Sequence, residues 1–532
     1  MSRILKTAYL SGSQVVTTLS TLIIAAVLSR VLESKADYGT YQQTLLVYTF
    51  LAPLLALGLP AASFYFCSKS GSNHRLIFYN ALILIFTVSL VFGIFCMTIG
   101  KSYIPNLFNN ADLEQTIPWL AIYGPATLLI LYASSFLVAI DYAKISAILT
   151  ILFRVFLATS VILVLLFSSR LELIISVQSY VILFGALIGI FLVYRYSNNK
   201  EKTRSSISIK NINDQLKYAV PLGLGAMLEG MALAIDRLMV SALLEPEEYA
   251  VFVNGAMEIP LIAAITVAAG AVILPEIVKA FENKNSSEAL DLWQLMVRRV
   301  TIILLPAGLL FYLISQELMI ILYSDKFKES VEPFRIYMLM LPARVAYFGM
   351  LFQAAGKTRL VLYRAIITLS LNTIITYFLV RKFGMAGAAW GTVAVVWLFV
   401  VPYCVLVCSK ITNVRWYKLL PYRYIFSVGI VSFSVALIVW LISSMFGFQN
   451  VFIITFLRGS AYCALVVASM FLFFRNDCIH IYKQLMSKII KNVDVVIHAA
   501  AYPHEGLSSF SPYLICKSNY IGSVAVFTAA IQ

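Results

Sequence analysis

Long apolar segments separated by short polar loops alternate along the chain as far as residue 475. A helix needs about 20 predominantly apolar residues to cross the hydrocarbon core of a bilayer, and about fourteen segments reach this length. They span residues 8–30, 41–68, 76–100, 117–139, 145–168, 172–195, 217–243, 251–279, 298–323, 333–355, 360–383, 386–408, 424–445 and 451–474. The pattern predicts an all-α integral membrane protein with about fourteen transmembrane helices.

The loops and their flanking helices occur twice. At a shift of 211 residues, the stretch ESKADYGTY aligns with LEPEEYAVF and brings Tyr38 onto Tyr249. Further along, at a shift of 215 residues, Pro118 falls on Pro333. We therefore predict two parallel six-helix repeats that form two lobes, followed by two C-terminal helices. Many secondary transporters place their substrate path between two such halves, so transport is the first functional interpretation.

Breaks in the hydrophobic pattern divide the chain into six parts. The most polar loop lies between the repeats and is predicted to be a cytoplasmic linker. The parts are residues 1–195 (N-terminal lobe), 196–216 (linker), 217–408 (C-terminal lobe), 409–475 (two additional transmembrane helices), 476–492 (a basic cytoplasmic segment) and 493–532 (a tail of different character).

Composition and charge agree with a membrane location and indicate an orientation. Hydrophobic residues make up 61% of the chain and charged residues 12%, whereas soluble domains are nearer half and one quarter. With a cytoplasmic N-terminus, 26 of the 40 Lys and Arg residues lie on the cytoplasmic face and nine on the outer face. Because basic loops stay in the cytoplasm, both termini are predicted to be cytoplasmic. The net charge of +15 then reflects topology and attraction to anionic lipids rather than nucleic-acid binding.

Residue types that carry catalysis, cofactors or metals are scarce. The chain has four His and no GxxxxGK[ST] phosphate-binding loop, which disfavours an ATP-driven pump. Cys404 and Cys408 are one helical turn apart, but without a neighbouring His they make a weak metal site. We predict a transporter rather than an enzyme, with no cofactor and no metal. Coupling to an ion gradient or to the membrane potential stays open.

A few charged residues lie inside the predicted spans and are candidate substrate-binding residues. A charge at that depth costs at least about 2.5 to 3.5 kcal/mol on insertion scales, so it is expected to face the bundle interior or a wet cavity. The candidates are Arg154, Glu229, Asp236, Arg237, Glu258 and Arg344. The alternative is structural, because a neighbouring helix could satisfy Glu229, Asp236 and Arg237 together. Arg154 and Arg237 could also snorkel to an interface.

The repeat separates two of these charges from the duplicated framework. At the shift of 215 residues, Arg344 falls on Leu129 and Leu369 falls on Arg154, so the framework itself requires neither arginine. A guanidinium group offers a planar fork of donors that suits phosphate. Arginines in an apolar cleft therefore favour an anionic head group such as phosphate or pyrophosphate.

Three stretches carry a resemblance to a known family, and they read SGSQVVTTLSTLIIAAVLSRVLESKADYGTYQQTLLV, YAVPLGLGAMLEGMALAIDRLMVSALLEPEEYAVF and LLPAGLLFYLISQELMIILYSDKF. Over about residues 1–490 the chain resembles polysaccharide-unit (Wzx-type) flippases of the multidrug/oligosaccharidyl-lipid/polysaccharide exporter superfamily. In that family an Asp-Arg pair recurs in segment seven, where Asp236 and Arg237 lie. An Arg closes segment one, where Arg30 lies, so Arg30 joins the candidates.

The resemblance implies a fourteen-helix carrier in the bacterial cytoplasmic (inner) membrane. It would turn undecaprenyl-pyrophosphate-linked oligosaccharide units to the outer leaflet by alternating access, for O-antigen (lipopolysaccharide), capsule or exopolysaccharide. The implied partners are the lipid-linked oligosaccharide and membrane lipids, with a polysaccharide polymerase and glycosyltransferases as candidate protein partners. A multidrug or metabolite exporter of the same superfamily is the main alternative. A polymerase or ligase should carry a large outer loop with catalytic residues, but here the outer loops are short.

The tail departs from this family. From Val493 it reads VDVVIHAAAYPHEGLSSFSPYLICKSNYIGSVAVFTAAIQ, which resembles the middle of an extended short-chain dehydrogenase of the nucleotide-sugar epimerase kind. The dinucleotide fingerprint that should precede such a fragment is missing, and so is the Tyr-x-x-x-Lys that should follow it. The tail is therefore interpreted as a non-functional fragment, joined by a gene fusion or a frameshift.

Overall fold

The computed structural model describes residues 3–68, 73–197, 209–257, 260–357, 359–445 and 450–475, together with Asp477 and Ile479. Within these residues the secondary structure is helical and contains no strand. The predicted tail, residues 493–532, lies outside the described residues, as does most of the basic segment that precedes it. Its interpretation stays a prediction.

The first repeat consists of nine helices, some of which are the two halves of one membrane crossing. They are α1 (Arg3–Val31), α2 (Lys35–Leu55), α3 (Leu59–Cys67), α4 (His74–Met97), α5 (Ile99–Leu107), α6 (Leu113–Thr116), α7 (Leu120–Ala139), α8 (Ala143–Phe167) and α9 (Leu171–Tyr196). A short 3-10 helix, Ile117–Trp119, leads into α7.

The second repeat follows the same order. Its helices are α10 (Ile209–Leu243), α11 (Pro246–Gly255), α12 (Pro260–Glu282), α13 (Ser286–Leu313), α14 (Ser315–Tyr323), α15 (Val331–Met338), α16 (Leu341–Arg344), α17 (Gly349–Ala354), α18 (Arg359–Val395) and α19 (Val401–Thr412). A 3-10 segment, Asp325–Ser330, joins α14 to α15. The last three helices are α20 (Trp416–Leu419), α21 (Tyr422–Met445) and α22 (Val451–Phe473).

Helix starts confirm the register of the repeat. The backbone N–H of Ser34, before α2, donates to the Asp37 carboxylate at 3.3 Å. The backbone N–H of Glu245, before α11, donates to the Glu248 carboxylate at 3.5 Å. Both pairs place an acidic side chain on a free backbone donor at a helix start, and both are separated by the predicted shift of 211 residues. The same local chemistry therefore starts the second helix of each lobe.

Ten helices of the described chain are long and apolar enough to cross a membrane, or up to twelve if each of two bent pairs is one span. One of the ten, Arg359–Thr412, reverses direction at Gly384, whose φ of 58° lies in the left-handed region. Across this turn Thr392 donates to the Asn372 amide oxygen at 3.4 Å, and the Tyr403 hydroxyl donates to the Leu360 carbonyl at 3.4 Å. The two arms run antiparallel, so this stretch supplies two predicted spans.

Two predicted spans differ from the helices in an informative way. The apolar pattern made residues 298–323 one span, but α13 ends at Leu313 and α14 begins a new helix at Ser315. In the first lobe α5 follows α4 after a similar break at Thr98. Hydropathy merges a crossing helix with the short helix that follows it, because both are apolar. The eighth predicted span, residues 251–279, corresponds to α11 and α12, with residues 258–259 between them outside the described part.

The outer surface of the bundle is apolar, as lipid contact requires. Phe167, Leu472 and Phe426 are 88%, 75% and 74% exposed, and many other large apolar side chains are exposed with them. A soluble protein rarely exposes contiguous apolar patches on this scale. The structure therefore confirms a multi-pass membrane protein.

The two lobes are packed against each other through α2 of the first lobe and α10 and α11 of the second. The two largest clusters of buried apolar side chains each contain residues from both lobes. A β carbon added at Gly39 of α2 would overlap the Pro246 carbonyl oxygen, and one at Gly58 would overlap the Ala219 carbonyl oxygen. Glycine at these two positions lets the backbones of the two lobes touch.

The last two helices are attached to the second lobe by a partly buried ion pair. The Arg458 guanidinium of α22 contacts the Glu317 carboxylate of α14 at 2.5 Å and also donates to the Ser443 hydroxyl at 2.9 Å. Nearby, the Tyr462 hydroxyl donates to the Pro306 carbonyl at 3.0 Å. The sequence analysis did not select Arg458 or Glu317.

We predict that Arg458→Met destabilises the attachment of α22. It leaves the Glu317 carboxylate buried without its partner, a loss typically of about 3–5 kcal/mol. The double variant Glu317→Leu/Arg458→Met removes both charges and should recover most of the stability. The measurement is the midpoint of thermal unfolding of the purified proteins in one detergent. Equal midpoints for Arg458→Met and the wild type would show that the pair is not structural.

Candidate functional site

Asp236, near the end of α10, is the centre of a buried polar cluster in the second lobe. It is 4% exposed and accepts three hydrogen bonds. The Tyr337 hydroxyl of α15 donates to Oδ2, Thr392 of α18 donates to the same oxygen at 3.4 Å, and the backbone N–H of Arg237 donates to Oδ1 at 2.7 Å. These donors offset part of the cost of burying a carboxylate.

The cluster continues into the first arm of α18. The Asn372 amide oxygen accepts from Thr376 at 2.7 Å and lies 3.4 Å from the Thr392 hydroxyl, whose single proton it shares with Asp236. The reversal at Gly384 brings the two arms of α18 side by side and so places these three residues beside Asp236. We call Asp236, Tyr337, Asn372, Thr376 and Thr392 the Asp236 cluster. Its oxygen atoms suit a proton or a small cation, whereas the described chain contains no group of three His, Cys, Asp or Glu side chains fit for a metal.

Arg237 points to a different neighbour from Asp236. Its guanidinium donates to the Ala256 carbonyl, at the end of α11, at 2.9 Å. Its positive charge lies close to the Asp236 carboxylate, and the side chains of Tyr249 and Tyr323 are near it. The side chain is half-buried. The Asp-Arg pair thus connects α10 to α18 through one residue and to α11 through the other.

Arg30, at the end of α1, reaches across to the second lobe. Its guanidinium donates to the Leu322 carbonyl at 2.7 Å, to the Ile321 carbonyl and to the Ala26 carbonyl of its own helix at 2.7 Å. Leu322 and Ile321 belong to the last turn of α14, where carbonyl groups have no partner within the helix. A cation at this position also interacts favourably with the helix dipole.

The contact is reciprocal. From the 3-10 segment after α14, Lys326 donates to the Leu32 carbonyl, just beyond α1, at 3.2 Å. Lys35 forms an ion pair with Glu329 at 2.6 Å. We call the contacts of Arg30, Lys35 and Lys326 with their partners the interlobe clamp. Each lobe caps a helix end of the other, with polar groups that water can replace.

A buried contact lies next to the interlobe clamp. The Tyr38 hydroxyl of α2 donates to the Asn254 amide oxygen of α11 at 2.8 Å, and its ring lies 5.2 Å from that of Phe327. Tyr38 is fully buried. The repeated loops recognised in the sequence therefore meet at the junction of the two lobes.

Arg154 lies apart from these groups, within the first lobe. It is half-buried on α8, its guanidinium carbon is 5.7 Å from the Phe153 ring centroid, and it interacts electrostatically with the Tyr123 hydroxyl of α7. Its backbone carbonyl accepts a hydrogen bond from Ser20 of α1 at 2.9 Å. The structure places it beside α1 and α7 rather than beside Asp236.

Arg344 occupies a break in the tenth predicted span. It is the last residue of the four-residue helix α16, and its side chain is exposed. The chain bends by 43° just before this helix, and Tyr347 just after it has a φ of 38°. Irregular backbone at membrane depth is tolerated where it is buried in protein or lines a water-filled cavity.

The remaining candidates are only partly described. Glu229 belongs to α10, but its side chain lies outside the described part, and Glu258 lies outside it altogether. The sequence analysis selected charges and so missed the uncharged members of the Asp236 cluster. Asn372 and Thr376, one helical turn apart in an apolar span, were an available signal because polar side chains facing lipid are costly.

Comparison with solved structures identifies this architecture. The lipid II flippase MurJ in an inward closed conformation superposes with a TM-score of 0.67 at 14% identity, covering 89% of this chain and 99% of that chain. An inward-facing multidrug resistance MATE family transporter of the MOP superfamily gives 0.57 at 14% identity, covering 75% and 96%. A MOP superfamily transporter from Pyrococcus furiosus gives 0.53 at 14% identity, covering 76% and 93%.

Two helical lobes related by a repeat thus define a membrane protein with the fold of the MOP superfamily of transporters. More specifically, residues 5–281 match the model of the family described as polysaccharide biosynthesis protein, and the chain belongs to this family. No curated protein matches the chain.

We predict that Arg30→Ala shifts the lobes away from the clamped arrangement. A hydrogen bond to a charged group contributes about 1.5–3 kcal/mol. Because Arg30 is exposed, we expect the lower end, roughly a tenfold change in the ratio of clamped to open molecules. Spin labels at Glu33 and Lys328, both exposed on the two sides of the clamp, report the distance by pulsed electron resonance.

The matched control is Arg170→Ala, since Arg170 is an exposed arginine in a loop at the same end of the bundle. It should leave the distance distribution unchanged. If Arg30→Ala and Arg170→Ala give the same distribution as the wild type, the interlobe clamp does not hold the lobes together.

Proposed function

We propose that this chain is a flippase that moves undecaprenyl-pyrophosphate-linked oligosaccharide units across the bacterial cytoplasmic membrane by alternating access, for surface polysaccharide synthesis. The observation that carries the proposal is the interlobe clamp. It joins the two lobes at one end through hydrogen bonds to helix ends, which water can replace, next to the buried Tyr38–Phe327 contact that opening must also separate. The family match and a fold like that of a lipid II flippase support a lipid-linked substrate.

The proposed orientation places the clamp at the outer leaflet. Basic loops stay in the cytoplasm, so α1 begins inside and its end, with Arg30, reaches the outer face. A molecule clamped in this way would load from the cytoplasmic leaflet, where lipid-linked units are made. The proposed cycle opens the clamp to release the unit on the outer side. A polysaccharide polymerase and glycosyltransferases are the candidate protein partners at the two faces.

Arg344 is the leading candidate for holding the pyrophosphate or an acidic sugar. A guanidinium at membrane depth is costly against lipid and is expected to face the bundle interior or a wet cavity, and the broken backbone around Arg344 is compatible with a cavity. Arg154 and Arg237 are weaker candidates, because each is half-buried on a regular stretch of helix, α8 or α10, rather than at a break in the backbone. Glu229 and Glu258 stay candidates on sequence grounds alone.

The Asp236 cluster is the proposed coupling site. A buried carboxylate surrounded by hydroxyl and amide groups can bind and release a proton or a small cation, so that its occupancy follows the ion gradient across the membrane. No cofactor is proposed. Tyr337 of the cluster lies on α15, which directly follows the segment that carries Lys326 and Glu329 of the clamp, so occupancy of the cluster has a short structural path to the lobe junction.

The exporter alternative fits less of the chain. The MATE family transporter covers 75% of it, whereas the lipid II flippase covers 89%. The matching family is one of polysaccharide biosynthesis rather than of drug export. An exporter of drugs or metabolites would leave surface polymer intact when deleted.

We predict that Arg344→Gln abolishes surface polysaccharide while the protein still inserts, because the anion loses its guanidinium fork. Arg344→Lys should restore function partly, since it keeps a point charge without the fork. Surface polymer and protein level in the membrane are measured in a deletion strain. The control is Arg381→Gln, an exposed arginine over the Tyr377 ring, which should behave as the wild type. Normal polymer with Arg344→Gln at a normal protein level would refute the anion-holding role.

We predict further that Asp236→Asn uncouples transport from the driving gradient. The amide keeps acceptor oxygen for Tyr337 but can neither bind a proton at neutral pH nor neutralise a cation. In proteoliposomes, transport by the wild type should be stimulated by an imposed proton or sodium gradient, each applied alone, and the variant should lose that stimulation. Stimulation of Asp236→Asn equal to that of the wild type would exclude Asp236 as the coupling group.

A further inference from the structure

A pocket of about 460 Å³ lies between α13, the start of α21 and the end of α22. It is separate from the interlobe clamp, which lies at the other end of the bundle. Its polar lining includes Arg298 of α13, Tyr417 of α20, and Tyr422 and Arg423 of α21. Phe474, just after α22, forms part of its apolar wall.

The pocket carries two positive charges. Neither Arg298 nor Arg423 forms an ion pair with a carboxylate among the residues that the structure describes. The Arg298 guanidinium lies 5.7 Å from the Tyr424 ring centroid, which orients it. The Tyr422 hydroxyl donates to the Trp416 carbonyl, whereas the Tyr417 hydroxyl accepts from Arg415 and keeps its proton to donate. Two guanidinium groups and the Tyr417 hydroxyl form a donor set that matches the oxygens of a phosphate group.

The surrounding residues place this pocket at the level of lipid head groups. Trp416, Tyr417 and Tyr422 are 58%, 45% and 38% exposed, and exposed Trp and Tyr side chains mark the membrane–water interface. One face of α21 then continues away from the pocket with Phe426 and Ile430, which are 74% and 55% exposed. An anionic lipid whose head group is bound in the pocket would have its acyl chains against this apolar face.

The pocket also joins separate parts of the second half of the molecule. The Gln294 amide of α13 donates to the Lys418 and Leu419 carbonyls of α20 at 2.9 Å each. Arg298 is one turn further along α13, and Arg423 opens α21. A ligand held by both arginines would therefore bridge the second lobe and the pair of C-terminal helices.

We propose that this pocket binds the phosphate head group of an anionic phospholipid, which fastens α20 and α21 to α13. The proposal is independent of the transported substrate. Basic pockets between transmembrane helices are a recurrent way of binding anionic head groups. The acyl chains distinguish this ligand from free phosphate, because they add contacts along α21.

The test uses the purified full-length protein, with bound lipid counted by native mass spectrometry. Phosphatidylglycerol, phosphatidylcholine and inorganic phosphate are added separately, and the thermal midpoint is followed in parallel. We expect phosphatidylglycerol alone to bind tightly and to raise the midpoint. Arg298→Gln/Arg423→Gln should weaken its binding by at least about tenfold, the effect of one lost charge-assisted hydrogen bond.

Lys410→Gln is the matched control, because Lys410 is an exposed basic residue at the same face outside the pocket. It should bind phosphatidylglycerol as the wild type does. Equal binding of phosphatidylcholine, or unchanged phosphatidylglycerol binding by the double variant, would overturn the proposal. Inorganic phosphate that raises the midpoint as much as phosphatidylglycerol would show an anion site rather than a lipid site. If the double variant does not fold, the comparison of phosphatidylglycerol with phosphatidylcholine and inorganic phosphate on the wild-type protein still tests the proposal.

Discussion

Helix ends are the constraint on which this structure depends. In a bilayer each backbone group must find its partner within the protein, so the chain is almost entirely helical, and the unpaired groups are confined to helix ends. At the junction of the two lobes, carbonyl groups at two helix ends find their hydrogen-bond donors on the opposite lobe. Arg30 of the first lobe caps α14 of the second, and Lys326 of the second caps the end of α1. Each lobe therefore supplies hydrogen-bond donors to a helix end of the other lobe.

This arrangement explains how one fold can be both held together and able to open. The close backbone contacts at Gly39 and Gly58 lie along α2 and α3 and fix how these helices pass α10 and α11. The interlobe clamp, in contrast, consists of long cationic side chains on carbonyl groups. Opening it exposes polar groups that water can satisfy and separates the Tyr38–Phe327 contact, whereas separating the whole of the buried apolar clusters would cost far more. In the proposed cycle the junction therefore opens at the clamp first.

The hydrophobic pattern predicted the membrane-crossing helices closely, and the loop alignment predicted the repeat, with which the helix starts at Ser34 and Glu245 agree. The hydrophobic pattern could not predict the Asp236 cluster. Tyr337 is 101 residues away in sequence from Asp236, and their contact depends on how α10 packs against α15. It also missed the break around Arg344, because hydropathy averages over a whole span and does not detect a change of direction. The Arg458–Glu317 ion pair was not predicted for the same reason as the cluster, because its two residues lie on different helices.

The central claim is that this chain moves a pyrophosphate-linked oligosaccharide lipid between leaflets. The most direct measurement reconstitutes the purified protein into liposomes with such a lipid and follows, with an impermeant lectin or glycosidase, the fraction of sugar that becomes accessible on the outside. The account predicts rapid equilibration between leaflets in proteoliposomes and none in protein-free liposomes. Sugar that stays inaccessible in proteoliposomes, while the same protein drives export of a cationic dye, would contradict the account and favour the exporter.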